Sequence, residues 1–191
     1  IEAKSDGDEG FLIASAIKHI IKNNTPIENN LVLYRMNSQS RSIEEGMRTL
    51  GLNYKIFGGI SFYKRKEIKD IIAYLRFIIN PKDEESLLRI INFPTRGIGN
   101  TTIEKIKRLS IENNKSMWKI ILEIEKGKIQ IDNRTNLKIK NFSGLINELI
   151  EQKHIESYDF IHELIEKIKL IPLLQENNTL ENINRLENIK E

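Results

Sequence analysis

Apolar residues return along most of this chain at intervals of three and four, the spacing of one helix face, and two short segments near the start break that rhythm. Asp6, with Glu9 three residues later, predicts the start of a helix carrying Ile13, Ala16, Ile17 and Ile20, and the loop from Asn23 to Asn30, which contains Pro26, ends it. Leu31-Val32-Leu33-Tyr34 is the first exception. A short continuous apolar run predicts a strand buried on both faces of a parallel sheet. A helix is then expected from about Ser38, with Ile43, Met47 and Leu50 on one face and Gly51 as its stop. Tyr54 to Phe57 predicts a second strand, so strand, helix and strand with short loops imply a right-handed parallel crossover.

Past Gly58-Gly59 the pattern changes to helix after helix. Ile68, Ile71, Ile72, Leu75, Ile78 and Ile79 form a stripe that stops at Asn80-Pro81, and further helices are expected at about 83–92, 100–112, 116–125, 136–152, 157–169 and 180–190. The fold class is therefore mixed: a short α/β segment over residues 1–57, followed by a mostly α-helical region over 58–191. The stretch from Lys126 to Asn136 reads as the best internal loop, and there is no repeat.

Pro94-Thr95-Arg96-Gly97-Ile98-Gly99-Asn100-Thr101 carries the most chemistry. Two glycines around one apolar residue let the main chain approach a ligand without a Cβ in the way. Asn100 or Thr101 can cap the helix that follows, with Glu104 completing a capping box three residues after Thr101. Freed amides at a helix N-terminus attract anions. Arg96 at the lip and Lys105 one turn in add charge, so the segment reads as a turn that grips nucleic-acid backbone without reading bases. The plainer alternative is a glycine-containing turn with a capping box and no ligand.

Composition narrows the remaining choices. Among 191 residues, 39% are hydrophobic and no apolar run approaches the ~20 residues of a membrane span. The polar, acidic start (Glu2, Asp6, Asp8, Glu9) predicts no secretory signal, the absence of cysteine excludes disulfides and thiol-ligated metal, and a cytoplasmic setting is expected. A formal net charge of +3 is too small to argue for a polyanion partner, so any such binding must come from local geometry. His19, His154 and His162 have no second ligand at metal spacing. Asp70, Asp83, Glu84 and Glu85 sit where helix starts and charged faces explain them. Arg35 and Asn37 lie at the carboxyl end of the first expected strand, where α/β sheets place ligands; the alternative is that Asn37 caps a helix and Arg35 pairs with a carboxylate. In Phe62-Tyr63-Lys64-Arg65 an aromatic pair beside basic residues suggests stacking on bases, although aromatics entering a helical region are more often core.

Three stretches taken in order resemble the middle of a UvrD-type ATP-dependent DNA helicase of superfamily one. They are Leu33-Tyr34-Arg35-Met36-Asn37-Ser38-Gln39-Ser40-Arg41, then Phe57 to Asp70, then Pro94 to Thr101; after Trp118 only the helical pattern and Arg185-Leu186-Glu187-Asn188-Ile189 are similar. The resemblance implies that residues 1–57 are part of the second RecA-like motor domain. It implies that 58–191 are most of the helical accessory (2B-like) subdomain inserted into it, with Gly58 and Gly59 as the pivot. Thr95, Arg96, Gly97, Ile98, Gly99, Asn100, Thr101 and Lys105 would hold duplex DNA ahead of the fork, and Arg35 and Asn37 would contact the single strand. The implied partners are duplex and single-stranded DNA, the remainder of the helicase chain and repair proteins, with no membrane. The parent would use ATP and Mg2+. This stretch lacks the G-x-x-x-x-G-K-[ST] phosphate loop, so alone it is expected to be catalytically silent. The competing expectation is a non-enzymatic helical module for DNA or protein binding.

Overall fold

The computed structural model describes residues 3, 5–35, 39–57, 61–152, 156–177 and 179–190. The chain folds as two compact units, one made of residues 1–68 with 187–191 and the other of 69–186. The sequence pattern changes earlier, at residue 58, so the first helix of the helical region begins inside the first unit.

In the first unit, α1 (Asp6–Lys22) and α2 (Ser40–Thr49) pack on each other. The start of α1 is capped one residue earlier than the sequence suggests, by Ser5, whose Oγ accepts from the amide of Asp8 at 3.2 Å. The two helices approach through glycines. A Cβ added to Gly10 would collide with the carbonyl of Ser42, and one added to Gly46 would collide with the carbonyl of Gly10. Ala14, Ile17 and Met47 are buried at this crossing, with Ile13, Ile21, Val32, Leu50 and Leu52 packed around them.

The expected α/β class is corrected here, because the described residues contain no β-strand. Residues 31–34 and 52–56 are unassigned segments without ladder bonds, and they line a cavity of about 680 Å³ together with Ile17, Ile43 and Met47 of the helices. A strand exists only through its hydrogen-bonded neighbour, and an apolar run signals burial without supplying one. The burial inferred from that run is also absent, since Leu31 is 76% and Leu33 85% exposed and only Val32 of the three turns into the helical core.

α2 also serves as a polar platform. Its buried Glu44 accepts from the Tyr54 hydroxyl at 2.9 Å, the Ser61 hydroxyl at 2.5 Å and the Phe62 amide at 2.9 Å. Residues on both sides of Gly58 and Gly59 are thus tied to one carboxylate, while the glycines themselves, expected as a pivot, lie outside the described residues. Phe62 is buried with the guanidiniums of Arg41 and Arg65 over its ring, each 5.3 Å from the centroid, so it is core rather than a platform for bases.

The second unit is helical throughout its regular structure. α3 (Lys66–Ile79) enters it from the first unit, followed by α4 (Glu84–Ile90), α5 (Asn100–Glu112), α6 (Met117–Glu125), α7 (Asn133–Gln152), α8 (Ser157–Lys167), α9 (Leu170–Gln175) and α10 (Leu180–Lys190), whose last residues return to the first unit. Of the expected stripe on α3, Ile71 and Ile78 are buried while Ile79 is 76% exposed, and Ala73, Tyr74 and Phe77 outside it are buried as well, so the buried face is rotated from the expected one. Phe77, Trp118 and Phe142 form an edge-to-face chain with centroids 5.3 and 6.3 Å apart, joining α3, α6 and α7 in one core. α9 has no counterpart in the sequence pattern; Lys169 at φ +56 turns the chain out of α8, and Pro172 falls in the first turn of α9, where its missing amide proton costs no helical bond.

Candidate nucleic-acid interface

The turn between α4 and α5 is fixed from beneath. Asn92 sends its Oδ1 into the loop, where it accepts from the amides of Arg96 at 2.9 Å and Ile98 at 3.0 Å. The Ile98 side chain is fully buried and pins the loop to the core. Gly97, at φ +72, occupies the left-handed region between them.

Arg96 points inward. Its Nη1 donates to the carbonyls of Phe93 at 2.7 Å, Ile90 at 3.0 Å and Pro94 at 3.2 Å, and its Nη2 donates to the Tyr74 hydroxyl at 2.6 Å. The guanidinium also lies over Phe142, 5.4 Å from the ring centroid. The Tyr74 hydroxyl donates in turn to the Phe93 carbonyl. Burial pushes that phenol up to about 12, against the opposing charge of Arg96, so it remains a neutral donor at physiological pH. Sequence reasoning places Arg96 at the lip because it sees an exposed-looking cation beside glycine. What it misses is Tyr74, twenty-two residues earlier on α3.

The helix cap also differs from the expected one. Gly99 is the N-cap of α5, with φ −80 and ψ 171, and no side chain caps the helix, so neither Asn100 nor Thr101 does so and the Thr101–Glu104 box is absent. Glu104 instead faces Lys107 at 3.5 Å. The N–H groups of Gly97, Gly99, Asn100 and Thr101 have no hydrogen-bond partner among the described residues, and all four residues are exposed. Thr95 and Lys105 are exposed beside them. Nothing fills the space where a Gly99 Cβ would stand.

A residue that sequence reasoning passes over joins this surface. Lys138 of α7 donates from Nζ to the Gly97 carbonyl at 2.7 Å, across forty-one positions of sequence. The start of α7 is capped by Asp132, which accepts from the Thr135 amide at 2.9 Å. That amide holds the Asp132 carboxyl below its usual range, and the charge of Lys105 adds a smaller effect in the same direction.

The other sequence candidates lie in the first unit. Arg35 is exposed, its amide donates to Gln39 Oε1 at 3.1 Å, and its guanidinium has no ion pair among the described residues. Asn37 lies outside the described residues; the residue preceding α2 is Gln39, with no side-chain cap. Among the described residues no group of three His, Asp or Glu could hold a metal ion, and no helix is long and apolar enough to cross a membrane.

What the second unit presents is a rigid turn of open backbone amides at a helix start, flanked by lysines, in an otherwise helical scaffold. The chain belongs to the UvrD-like helicase C-terminal domain family, which matches residues 1–191. It is 39% identical over 192 residues to the ATP-dependent DNA helicase PcrA of Staphylococcus aureus (strain Mu50) and 35% identical over 191 residues to that of Staphylococcus epidermidis, in each case over 100% of this chain. The chain spans 26% of the length of these relatives.

Proposed function

We propose that this chain is the duplex-gripping, regulatory region of an ATP-dependent DNA helicase that moves along single-stranded DNA and unwinds duplex in repair or replication. The observation that carries the reading is the turn over residues 95–101, where the amides of four exposed residues at and before the start of α5 have no hydrogen-bond partner among the described residues. Such a surface takes phosphate oxygens of either strand without reading bases. Lys105 supports it with charge one turn further on, and exposed Arg35 in the first unit is assigned to the single strand. Nucleotide and Mg2+ are handled by other parts of the parent, a cytoplasmic enzyme, and the contribution of the present residues is binding alone.

Gly99→Val is the sharpest test. At φ −80 with open space around it, position 99 accepts a side chain without strain, so the fold should survive and only the approach to the amides should close. We expect an unchanged melting temperature and a loss of duplex affinity on the order of tenfold, about one good phosphate contact. Unchanged affinity for a labelled blunt duplex would reduce the turn to a connection between helices.

A further inference from the structure

We infer that Lys138 of α7 is a phosphate-contacting cation of this surface, the part sequence reasoning gives to Arg96, and that its bond to the Gly97 carbonyl is its resting position without DNA. This rests on the duplex reading above and adds to it a second helix and a residue that closes the turn when no ligand is there.

Three observations lead to it. The first is the division of labour between the two cations. Arg96 has its donors engaged on three carbonyls and a phenol, in a half-buried position, and cannot turn to a phosphate without dismantling the loop. Lys138 has one protein partner, a neutral carbonyl, and its ammonium has two further protons to donate. The second is charge. Some cations of this unit are paired with carboxylates, Lys107 with Glu104, Arg108 with Glu112 and Lys115 with Glu123, whereas Lys105 has no ion pair among the described residues. Lys138 has no carboxylate partner among the described residues, and neither does Arg134, one turn earlier on the same helix. An uncompensated ammonium resting on a carbonyl gains more from a phosphodiester, because a charge-assisted bond is roughly twice as strong as a neutral one.

The third is fit. A Cβ on Gly97 would stand 2.7 Å from Lys138 Nζ, 3.0 Å from Cε and 3.6 Å from Cδ, so the lysine lies along the face that glycine leaves open. Gly97 therefore has two roles, the left-handed turn and the bed for a side chain from another helix. From there the ammonium stands against Gly97, at one end of the turn, and rotation about its own side-chain bonds would exchange the carbonyl for a phosphate oxygen. Among the described residues, neither Glu104, which faces Lys107, nor Asp132, which accepts from the Thr135 amide, forms an ion pair with Lys138.

The test uses the full-length protein and fluorescence anisotropy with a short labelled blunt duplex and a single-stranded oligonucleotide across a salt series. Lys138→Gln keeps an N–H donor, on a side chain one bond shorter, and removes the charge; Lys138→Arg keeps the charge. For the duplex, the Gln variant should lower the magnitude of the log–log salt slope by about 0.9 and weaken binding about eightfold at 0.1 M salt, with Arg restoring both. Single-strand binding and the melting temperature should not change. A duplex salt slope unaltered in Lys138→Gln, with wild-type binding intact, overturns the role of Lys138 and leaves the duplex reading standing. Absence of salt-dependent duplex binding in the wild type overturns both. A lower melting temperature with an unaltered slope assigns Lys138 to structure alone.

Discussion

Arg96 and Lys138 each stand differently from what their sequence neighbourhoods suggest. Arg96 sits between threonine and glycine, where a local reading finds an exposed cation, yet its guanidinium ties the carbonyls of Ile90, Phe93 and Pro94 to Tyr74. Lys138 sits in an ordinary polar stretch of helix and is carried to the turn only by tertiary packing. The glycines and the anion-ready turn are legible in the sequence, because backbone freedom and helix starts are local properties. The identity of the cation at the turn is not, because it depends on which helices lie side by side. Arg96→Ala should consequently cost fold more than charge: it leaves the Pro94 carbonyl without its partner and takes one bond each from the Ile90 and Phe93 carbonyls and the Tyr74 hydroxyl, which keep another, so the loss of stability should be about 1–3 kcal/mol. Arg96→Lys should recover little of it, since an ammonium cannot reproduce the planar fork. Thermal melts of both variants check this, and a wild-type melting temperature for Arg96→Ala, with a duplex salt slope reduced by about one, would return Arg96 to the DNA-contact role.

At the scale of elements, the hydrophobic period locates the helices well and fails on the segments whose identity depends on a neighbour. The helix expected at 100–112 is α5, and the one expected at 180–190 is α10. Residues 31–34 and 52–56 carry strand-like composition but find no pairing partner among the described residues, so the sequence signal for burial has no structure to attach to. Caps fall earlier than expected, at Ser5 rather than Asp6, where neighbouring polar residues could each serve, and at Gly99, without a side-chain cap, rather than at Asn100 or Thr101. The close crossing of α1 and α2 is not visible in the sequence either: Gly10 and Gly46 lie inside helices, where glycine reads only as a weak helix former. Helix propensity favours alanine at both positions by about 1 kcal/mol, whereas overpacking a crossing of backbone on backbone costs about 1–3 kcal/mol or more. The second effect should win. Gly10→Ala and Gly46→Ala should each lower the stability of the first unit, read by chemical denaturation followed by circular dichroism; stabilisation by either would mean that the helices can separate at no cost.

For the molecule as a whole, the way the chain is divided makes the two units unequal in folding. The second unit is one continuous segment, residues 69–186, whereas the first needs residues 187–191 to complete it. Asn188 shows why. Its buried side chain accepts from Arg65 Nη1 at 2.5 Å and donates to Glu67 Oε1 at 2.6 Å, while Arg65 Nη2 donates to Ser40 at 2.8 Å. This is a buried polar network, and losing the Asn188 side chain takes one buried partner from Arg65 and one from Glu67, a cost of about 1–3 kcal/mol. The chain offers an internal reporter to separate the units, because its single tryptophan, Trp118, is buried between Phe77 and Phe142 in the second. Asn188→Ala, or removal of residues 187–191, should therefore lower the transition seen by far-ultraviolet circular dichroism in the first unit and leave the tryptophan fluorescence transition where it was. Residues 69–186 expressed alone should keep a blue-shifted, buried Trp118 emission and melt cooperatively. If that segment instead shows solvent-exposed emission with no cooperative transition, or if Asn188→Ala moves both signals together, the two units fold as one body and the turn before α5 depends on the first unit for its shape.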